Sequence, residues 1–511
     1  MRVRLLAMGL AALAVMSCGP AALADDPGKD AAHASDKADK KDKGDLDLPP
    51  LPADASVRQQ VRTPHGVLNY TATVGSLPVR DEKGRKIGEV VFTAYVLDGA
   101  HGPDRPVTFA FNGGPGAASV YLNLGAIGPK HVAFGAQGDT PSTPAVLTDN
   151  PDTWLDFTDL VFIDPVGTGF SRALVADDEA KKRFYTMKAD IAYLSRVVYD
   201  WLQKNGRMAS PKYLVGESYG GFRAPRLAHY LQTSQGVGVS GMVMLSPYLD
   251  GALENDDDVS PMGWVMRLPS MAAAKLERDG RLSAAALQPA EDYARGDFIR
   301  DYLAGPKDAA ATARLEAKIT ELVGLDPALT ASMAGRIDTR TLLRQLYRAQ
   351  GKVGSRYDIN VTTYDPFPFS YGARQGGYED PILDQMMAPV TSAMVDFDTR
   401  VVGWKVEGAY YALSRDVGEK WSFEDQTPQS VTDLRQALAI DPHMKVLIAH
   451  GFTDLSCPFF ASQLIIDQIP PMGDPGRLKL AVYPGGHMFY SREASRAALR
   501  RDAAEVYGAP P

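Results

Sequence analysis

The stretch Lys212-Tyr213-Leu214-Val215-Gly216-Glu217-Ser218-Tyr219-Gly220-Gly221 decides how this chain is read. A short apolar run leads into a serine between two glycines, and residues with helical spacing follow. That order predicts a strand, a tight turn and a helix, with the Ser218 hydroxyl projecting above a sheet. A serine hydroxyl is a weak nucleophile at its own pKa. It needs a neutral imidazole to accept its proton and an acid to fix the imidazole tautomer. Two later apolar runs end in loops that supply both: His450-Gly451-Phe452-Thr453-Asp454 after residues 446–449, and Pro484-Gly485-Gly486-His487-Met488 after residues 480–483. Ser218, Asp454 and His487 follow one another in the chain order used by α/β-hydrolase sheets.

Outward from this turn the pattern is alternating. Residues 70–74 and 90–97 alternate with β-branched content around the turn Asp81-Glu82-Lys83-Gly84 and predict an antiparallel hairpin. Runs at 107–111, 160–163, 213–215, 242–245, 446–449 and 480–483 read as strands buried on both faces. Helical stretches at 187–202, 223–231, 459–469 and 492–506 lie between or after them. The prediction is an α/β fold of the α/β-hydrolase type, with a mostly parallel central sheet and helices on both faces. Residues 56–259 form its first part and 401–511 its second.

Between them, 260–400 becomes Ala-, Leu- and Arg-rich, with helices predicted over 272–287 and 309–323, and reads as an inserted helical cap. Tyr364, Phe367, Phe369, Tyr371 and Tyr378 either line a substrate cleft or form the cap's own core.

Asn112-Gly113-Gly114-Pro115-Gly116 leaves the run 107–111. A glycine-rich loop there lets backbone N–H groups point at the oxygen of a tetrahedral intermediate. Further stretches carry a resemblance. These are Ser119, Gly128-Pro129, Asp164-Pro165-Val166-Gly167-Thr168-Gly169-Phe170-Ser171, Glu217-Ser218-Tyr219-Gly220-Gly221, Asp454 with Cys457, and Gly486-His487-Met488. In this order, from about Val67 to the C-terminus, they resemble the serine carboxypeptidase family.

The resemblance implies Ser218 as nucleophile, His487 as general base and Asp454 as its orienter, with the Gly114 and Tyr219 N–H groups as oxyanion hole. It implies a grip on the substrate's terminal carboxylate by Asn112, the Gly113 N–H and Glu217. The family's second glutamate would fall at position 126, where this chain has Ala126. Without the partner acid, Glu217 should ionise more readily than a member of a proton-sharing pair, and Lys130, His131 or Arg223 is a candidate replacement cation. No metal and no cofactor are implied. The substrate class is peptides; an esterase or acyltransferase on the same scaffold, or an idle binding protein, are the rival readings.

The ends and composition narrow this further. The 511 residues carry 54 Lys plus Arg against 62 Asp plus Glu, a net charge of −8, which argues against a nucleic-acid partner. Two cysteines, Cys18 and Cys457, exclude a disulfide-stapled scaffold and a multi-thiolate zinc site. Cys457 is expected to pack near the triad. Glu254, Asp256, Asp257 and Asp258 read as a solvated loop, lacking the alternating ligands of a calcium site.

Arg2 and Arg4 precede an apolar run, and Ala22-Leu23-Ala24 offers small residues at alternate positions. This predicts an export signal over 1–24, to the periplasm or outside the cell, and no integral membrane segment after its removal. Val15-Met16-Ser17-Cys18-Gly19 leaves open a lipoprotein anchored through Cys18. A disordered charged linker over 25–55 follows, with eight Asp and five Lys between Asp25 and Leu48. Oligomeric state is not legible.

Overall fold

The computed structural model describes residues 46, 48–99, 102–133, 142–254, 259–370, 380–424 and 427–509. The signal segment, Cys18, most of the linker, Tyr371, Tyr378 and the acidic loop 255–258 lie outside them. Nine strands build the main sheet: β1 (Ala55–Thr63), β2 (Gly66–Arg80), β3 (Lys86–Leu97), β4 (Val107–Phe111), β5 (Asp159–Ile163), β6 (Lys212–Glu217), β7 (Gly241–Leu245), β8 (Lys445–Gly451) and β9 (Leu478–Tyr483). Their spatial order is β1-β2-β3-β5-β4-β6-β7-β8-β9, with the two-residue strand Arg172–Ala173 beside β3. The pairs β1–β2, β2–β3 and β3–β5 are antiparallel. Every pair from β5 to β9 is parallel.

The parallel strands read as unbroken apolar runs because both faces are covered, and the two-residue period decides which side chain meets which layer. Phe109, Phe111, Val161 and Ile163 enter one apolar cluster with the helices Met187–Lys204, Tyr219–Tyr230 and Val431–Ile440. Ala110, Leu160 and Phe162 enter the opposite cluster, with Leu499, Ala503 and Val506 of the helix Glu493–Tyr507. Met187–Lys204 is capped by Thr186, whose side chain accepts from the Ala189 N–H, and buries Ile191, Leu194, Val198 and Trp201 at helical spacing.

Between β7 and β8 in chain order stand helices and a short hairpin, Lys352–Gly354 with Thr362–Tyr364. The helix predicted over 272–287 is two helices, Met262–Arg278 and Ala284–Arg295, broken at Asp279-Gly280, where Gly280 takes φ +66°. The one predicted over 309–323 is Ala309–Val323. These helices bury Leu268, Leu287, Leu315 and Ile319 against Phe459 and Phe460, which follow β8.

The helix Pro381–Asp396 instead buries Met386, Val390 and Met394 on the sheet's own apolar cluster, although its composition groups it with the insertion. The end of the charged linker is also docked. The Leu46 N–H donates to the Leu174 carbonyl, Pro49 O accepts from Arg172, and Leu51 packs on the core.

Trp201 is fully buried, edge-on to Phe109 with ring centroids 5.5 Å apart and to Phe92 at 6.5 Å, so it ties the Met187–Lys204 helix to β3 and β4. Trp201→Ala leaves a large cavity and should destabilise the fold by about 3–5 kcal/mol. A lower urea midpoint with an unchanged slope is the expected measurement.

Candidate active site

Strands β4 and β6 are neighbours, yet β4 runs on in sequence to β5 on one side while β6 runs on to β7 on the other. The sheet reverses its winding direction between them, and the loops leaving their carboxyl ends open a crevice there. One loop is Asn112–Gly116; the other is the Ser218 turn. The loops after β8 and β9 bring Asp454 and His487 to the same edge.

Ser218 takes φ +59° and ψ −122°, a conformation that a residue with a Cβ holds only when its surroundings fix it. They do. Its N–H donates to Leu245 O at 2.9 Å, and its carbonyl accepts from the N–H groups of Gly221, Phe222 and Tyr248. Gly216 is required for the turn to close, since a Cβ there would stand 2.0 Å from the Gly220 oxygen. A Cβ on Gly113 would stand 2.4 Å from the Tyr219 nitrogen and 2.9 Å from Ser218 Cβ, so the two loops meet backbone to backbone.

Ser218, His487, Gly113, Gly114, Tyr219, Asn112 and Glu217 all line one cleft of about 440 Å³. His487 Nδ1 and Asp454 Oδ2 are 2.8 Å apart and both residues are buried. Asp454 Oδ1 accepts the N–H groups of Ser456 at 2.7 Å and Cys457 at 3.1 Å. Burial pulls the His487 pKa down, but the Asp454 carboxylate and its hydrogen bond, with Glu217, outweigh this and hold it above the ordinary imidazole value. The residue is fixed through its backbone as well: the His487 backbone N–H donates to Tyr357 O at 2.5 Å and its backbone carbonyl accepts from Ser246 Oγ at 2.8 Å, while the Tyr357 ring stands edge-on to the imidazole at 5.1 Å. Cys457 is buried on the cleft wall and forms no disulfide.

On the opposite wall Asn112 Nδ2 donates to Glu217 Oε2 at 2.7 Å, and Tyr490 OH donates to the same oxygen at 2.8 Å. Asn112 Oδ1 accepts the Leu122 N–H, and the Asn112 N–H meets Ser119 Oγ. Ser119 is itself held by Asp164 Oδ1, which ties the Asp164–Ser171 motif to the glycine loop. Burial pushes the Glu217 carboxyl up, against the opposing effects of His487, Tyr490 and Asn112.

Several expected neighbours stand elsewhere. Ala126 is buried in the π-helical turn Leu122–Ile127 and packs into the core cluster rather than lining the cleft; Tyr121 lines it instead. The candidate cations are all engaged away from the cleft. Lys130 pairs with Asp149, His131 contacts Arg496, and Arg223 pairs with buried Asp190 at 2.6 Å while donating to the Asn112 carbonyl.

The cations that do line the cleft are Arg267 and Arg356, which no motif flagged. Tyr364 and Phe369 are 77% and 97% exposed and, like Phe367, are absent from its lining. Among the described residues no group of three or more His, Cys, Asp or Glu is gathered to hold a metal.

Residues 83–278 match a family model described as serine carboxypeptidase, a stretch that includes the glycine loop and Ser218 but not Asp454 or His487. Serine carboxypeptidase-like 50 of Arabidopsis thaliana is 31% identical over 132 residues, 25% of this chain and 27% of that protein. Serine carboxypeptidase-like 8 of the same plant is 28% identical over 190 residues, 35% and 41% of the two chains. The matched stretches thus span less than half the length of these relatives. A prohormone-processing carboxypeptidase of Saccharomyces cerevisiae superposes with a TM-score of 0.53 at 16% identity, covering 86% of this chain and 91% of that one, a likeness of fold.

The close approach of Gly113 to Tyr219 yields a test. Gly113→Ala must push the glycine loop off the Tyr219 N–H, and the rate at which a fluorophosphonate labels Ser218 should fall by about 10²-fold or more, with the far-ultraviolet circular dichroism unchanged.

Proposed function

We propose that this chain, whose residues 83–278 match the serine carboxypeptidase family model, is an exported serine-type carboxypeptidase that removes C-terminal residues from peptides through an acyl-enzyme. The observation that carries this reading is the His487–Asp454 pair, hydrogen-bonded at 2.8 Å in the cleft that Ser218 lines. His487, neutral and with Nδ1 committed to Asp454, presents Nε2 as the base. It takes the Ser218 proton as Oγ attacks the scissile carbonyl. The Gly114 and Tyr219 N–H groups receive the oxyanion. The imidazolium then protonates the departing amine, and a water repeats the sequence to release the acyl group.

Asn112, the Gly113 N–H and Glu217 receive the terminal carboxylate, and residues 260–400 act as a cap. A second reading, esterase or acyltransferase, is favoured by one observation. Among the described residues Glu217 is the one acid lining the cleft, with no second carboxyl paired to it there. Export rests on the N-terminal segment, with the described residues containing no helix long and apolar enough to cross a membrane.

Ser218→Ala should lower peptide turnover by roughly 10⁴ to 10⁶-fold while the fold persists. Mass spectrometry of peptides incubated with the wild type should show a ladder of single C-terminal losses, absent with the variant; near wild-type hydrolysis by Ser218→Ala sinks the reading.

Glu217 yields a pH test. Only its protonated form donates to a substrate carboxylate. Burial raises its pKa, so the donor persists above the ordinary carboxylate range and is lost as pH rises past the raised value. Glu217→Gln keeps a donor at every pH. The ratio of kcat/KM for free-acid peptides, variant over wild type, should therefore climb with pH. A flat ratio removes Glu217 from carboxylate recognition.

A further inference from the structure

The cleft has two chemically different ends. Tyr219, Tyr248 and Phe423 line one; the Tyr219 ring stacks on Phe222 at 4.9 Å and stands edge-on to Phe423 at 6.2 Å. Tyr357 and Arg356 belong to the other. Tyr357 stands edge-on beside His487, with ring centroids 5.1 Å apart. The Arg356 guanidinium lies 5.5 Å above the Tyr357 ring. Arg356 thus shares one cleft lining with Asn112, Gly113 and Glu217, which receive the terminal carboxylate in the reading above.

Arg356 is held without being neutralised. Its Nη2 donates to Ser456 Oγ at 3.1 Å and its backbone N–H donates to Asp380 Oδ2 at 2.9 Å; among the described residues no carboxylate forms a direct ion pair with its guanidinium, and Asp380 and Asp454 act on it only from farther off. The side chain is exposed and lines the cleft. Arg267, with Nη1 on Gly263 O at 3.2 Å, places a second guanidinium on that lining. Among the described residues Glu217 is the one acid on that lining, and it is engaged by Asn112 and Tyr490. A planar guanidinium with donors still directed into a cleft recognises a carboxylate.

We infer that Arg356 makes this cleft selective for peptides whose departing C-terminal residue carries an acidic side chain, glutamate or aspartate. This rests on the peptidase reading. The main-chain carboxylate goes to Asn112, Gly113 and Glu217, and the side-chain carboxylate goes to Arg356. Because Arg356 is solvent-exposed, the preference is moderate and weakens with salt.

The test separates binding from turnover. Isothermal titration calorimetry of the Ser218→Ala protein with two N-acylated dipeptides, identical but for C-terminal Glu or Gln, should show about tenfold tighter binding of the Glu peptide. Ser218→Ala/Arg356→Gln should abolish the discrimination, and Ser218→Ala/Arg356→Lys should keep part of it. Equal binding of the two peptides by Ser218→Ala, or discrimination surviving Arg356→Gln, overturns the inference. So does an Arg356-dependent contribution lost on amidating the C-terminus but not on exchanging Glu for Gln, which would put the main-chain carboxylate on Arg356. Discrimination in binding with no amino acid released from either peptide by the wild type overturns the peptidase reading and supports the carboxylate site.

Discussion

The buried pair Arg223–Asp190 is the constraint on which the site's geometry depends. Arg223 is 1% exposed, and its guanidinium touches three things at once: Asp190 on the Met187–Lys204 helix, the carbonyl of Asn112, and the face of the Tyr219 ring at 4.9 Å. A charge so far from water is tolerable only with its partner and remaining donors satisfied. Here one of those donors is spent on the backbone of the glycine loop. The Asn112 loop therefore cannot drift without exposing a buried cation to an unsatisfied environment, and the meeting of Gly113 with Tyr219 inherits that rigidity.

From this anchor the cleft acquires two walls of opposite character. The wall of Asn112, Glu217 and Tyr490 is a closed hydrogen-bond network around a buried carboxyl. The wall of Arg356 carries a guanidinium that makes no direct ion pair with a described carboxylate, with Asp380 and Asp454 acting on it from farther off. His487 lies between them, drawn upward in pKa by Asp454 and by Glu217 in spite of its burial. Preorganised groups aimed at a small water-accessible volume are what acyl transfer needs, and they cost nothing at the moment of reaction because the fold has already oriented them.

Much of this was legible in the sequence for physical reasons. Strands covered on both faces have to be apolar at every position, which is why residues 107–111 and 242–245 announced themselves. Ser218 sits in a turn that only glycines can flank at that distance, so its position was written into composition. Other features depend on distant partners. The Arg223 side chain points inward because Asp190 awaits it, while Arg356 reaches the cleft because of where the chain returns after a long helical stretch; neither has a local pattern. Strand β1 was hidden, since Val57, Gln59 and Val61 alternate with polar residues too weakly against a charged preceding segment. The aromatic residues Tyr364, Phe367 and Phe369 suggested either a cleft lining or the core of the cap, and instead they are exposed.

The order of the strands bears on how the molecule comes together in time. Strand β8 pairs with β7 from Gly241 opposite Lys445 to Leu245 opposite Ala449, so it joins an existing margin of the sheet and need not be threaded between strands already in place. Seven strands, the glycine loop and the Ser218 turn can therefore form before the last two arrive. The long excursion between β7 and β8 adds only a slowly growing closure entropy, because its ends are neighbours. Its length can change at little thermodynamic cost. Asp454 and His487, carried beyond those late strands, are the last components installed, and Ser218 and His487 come together only once both have joined the sheet.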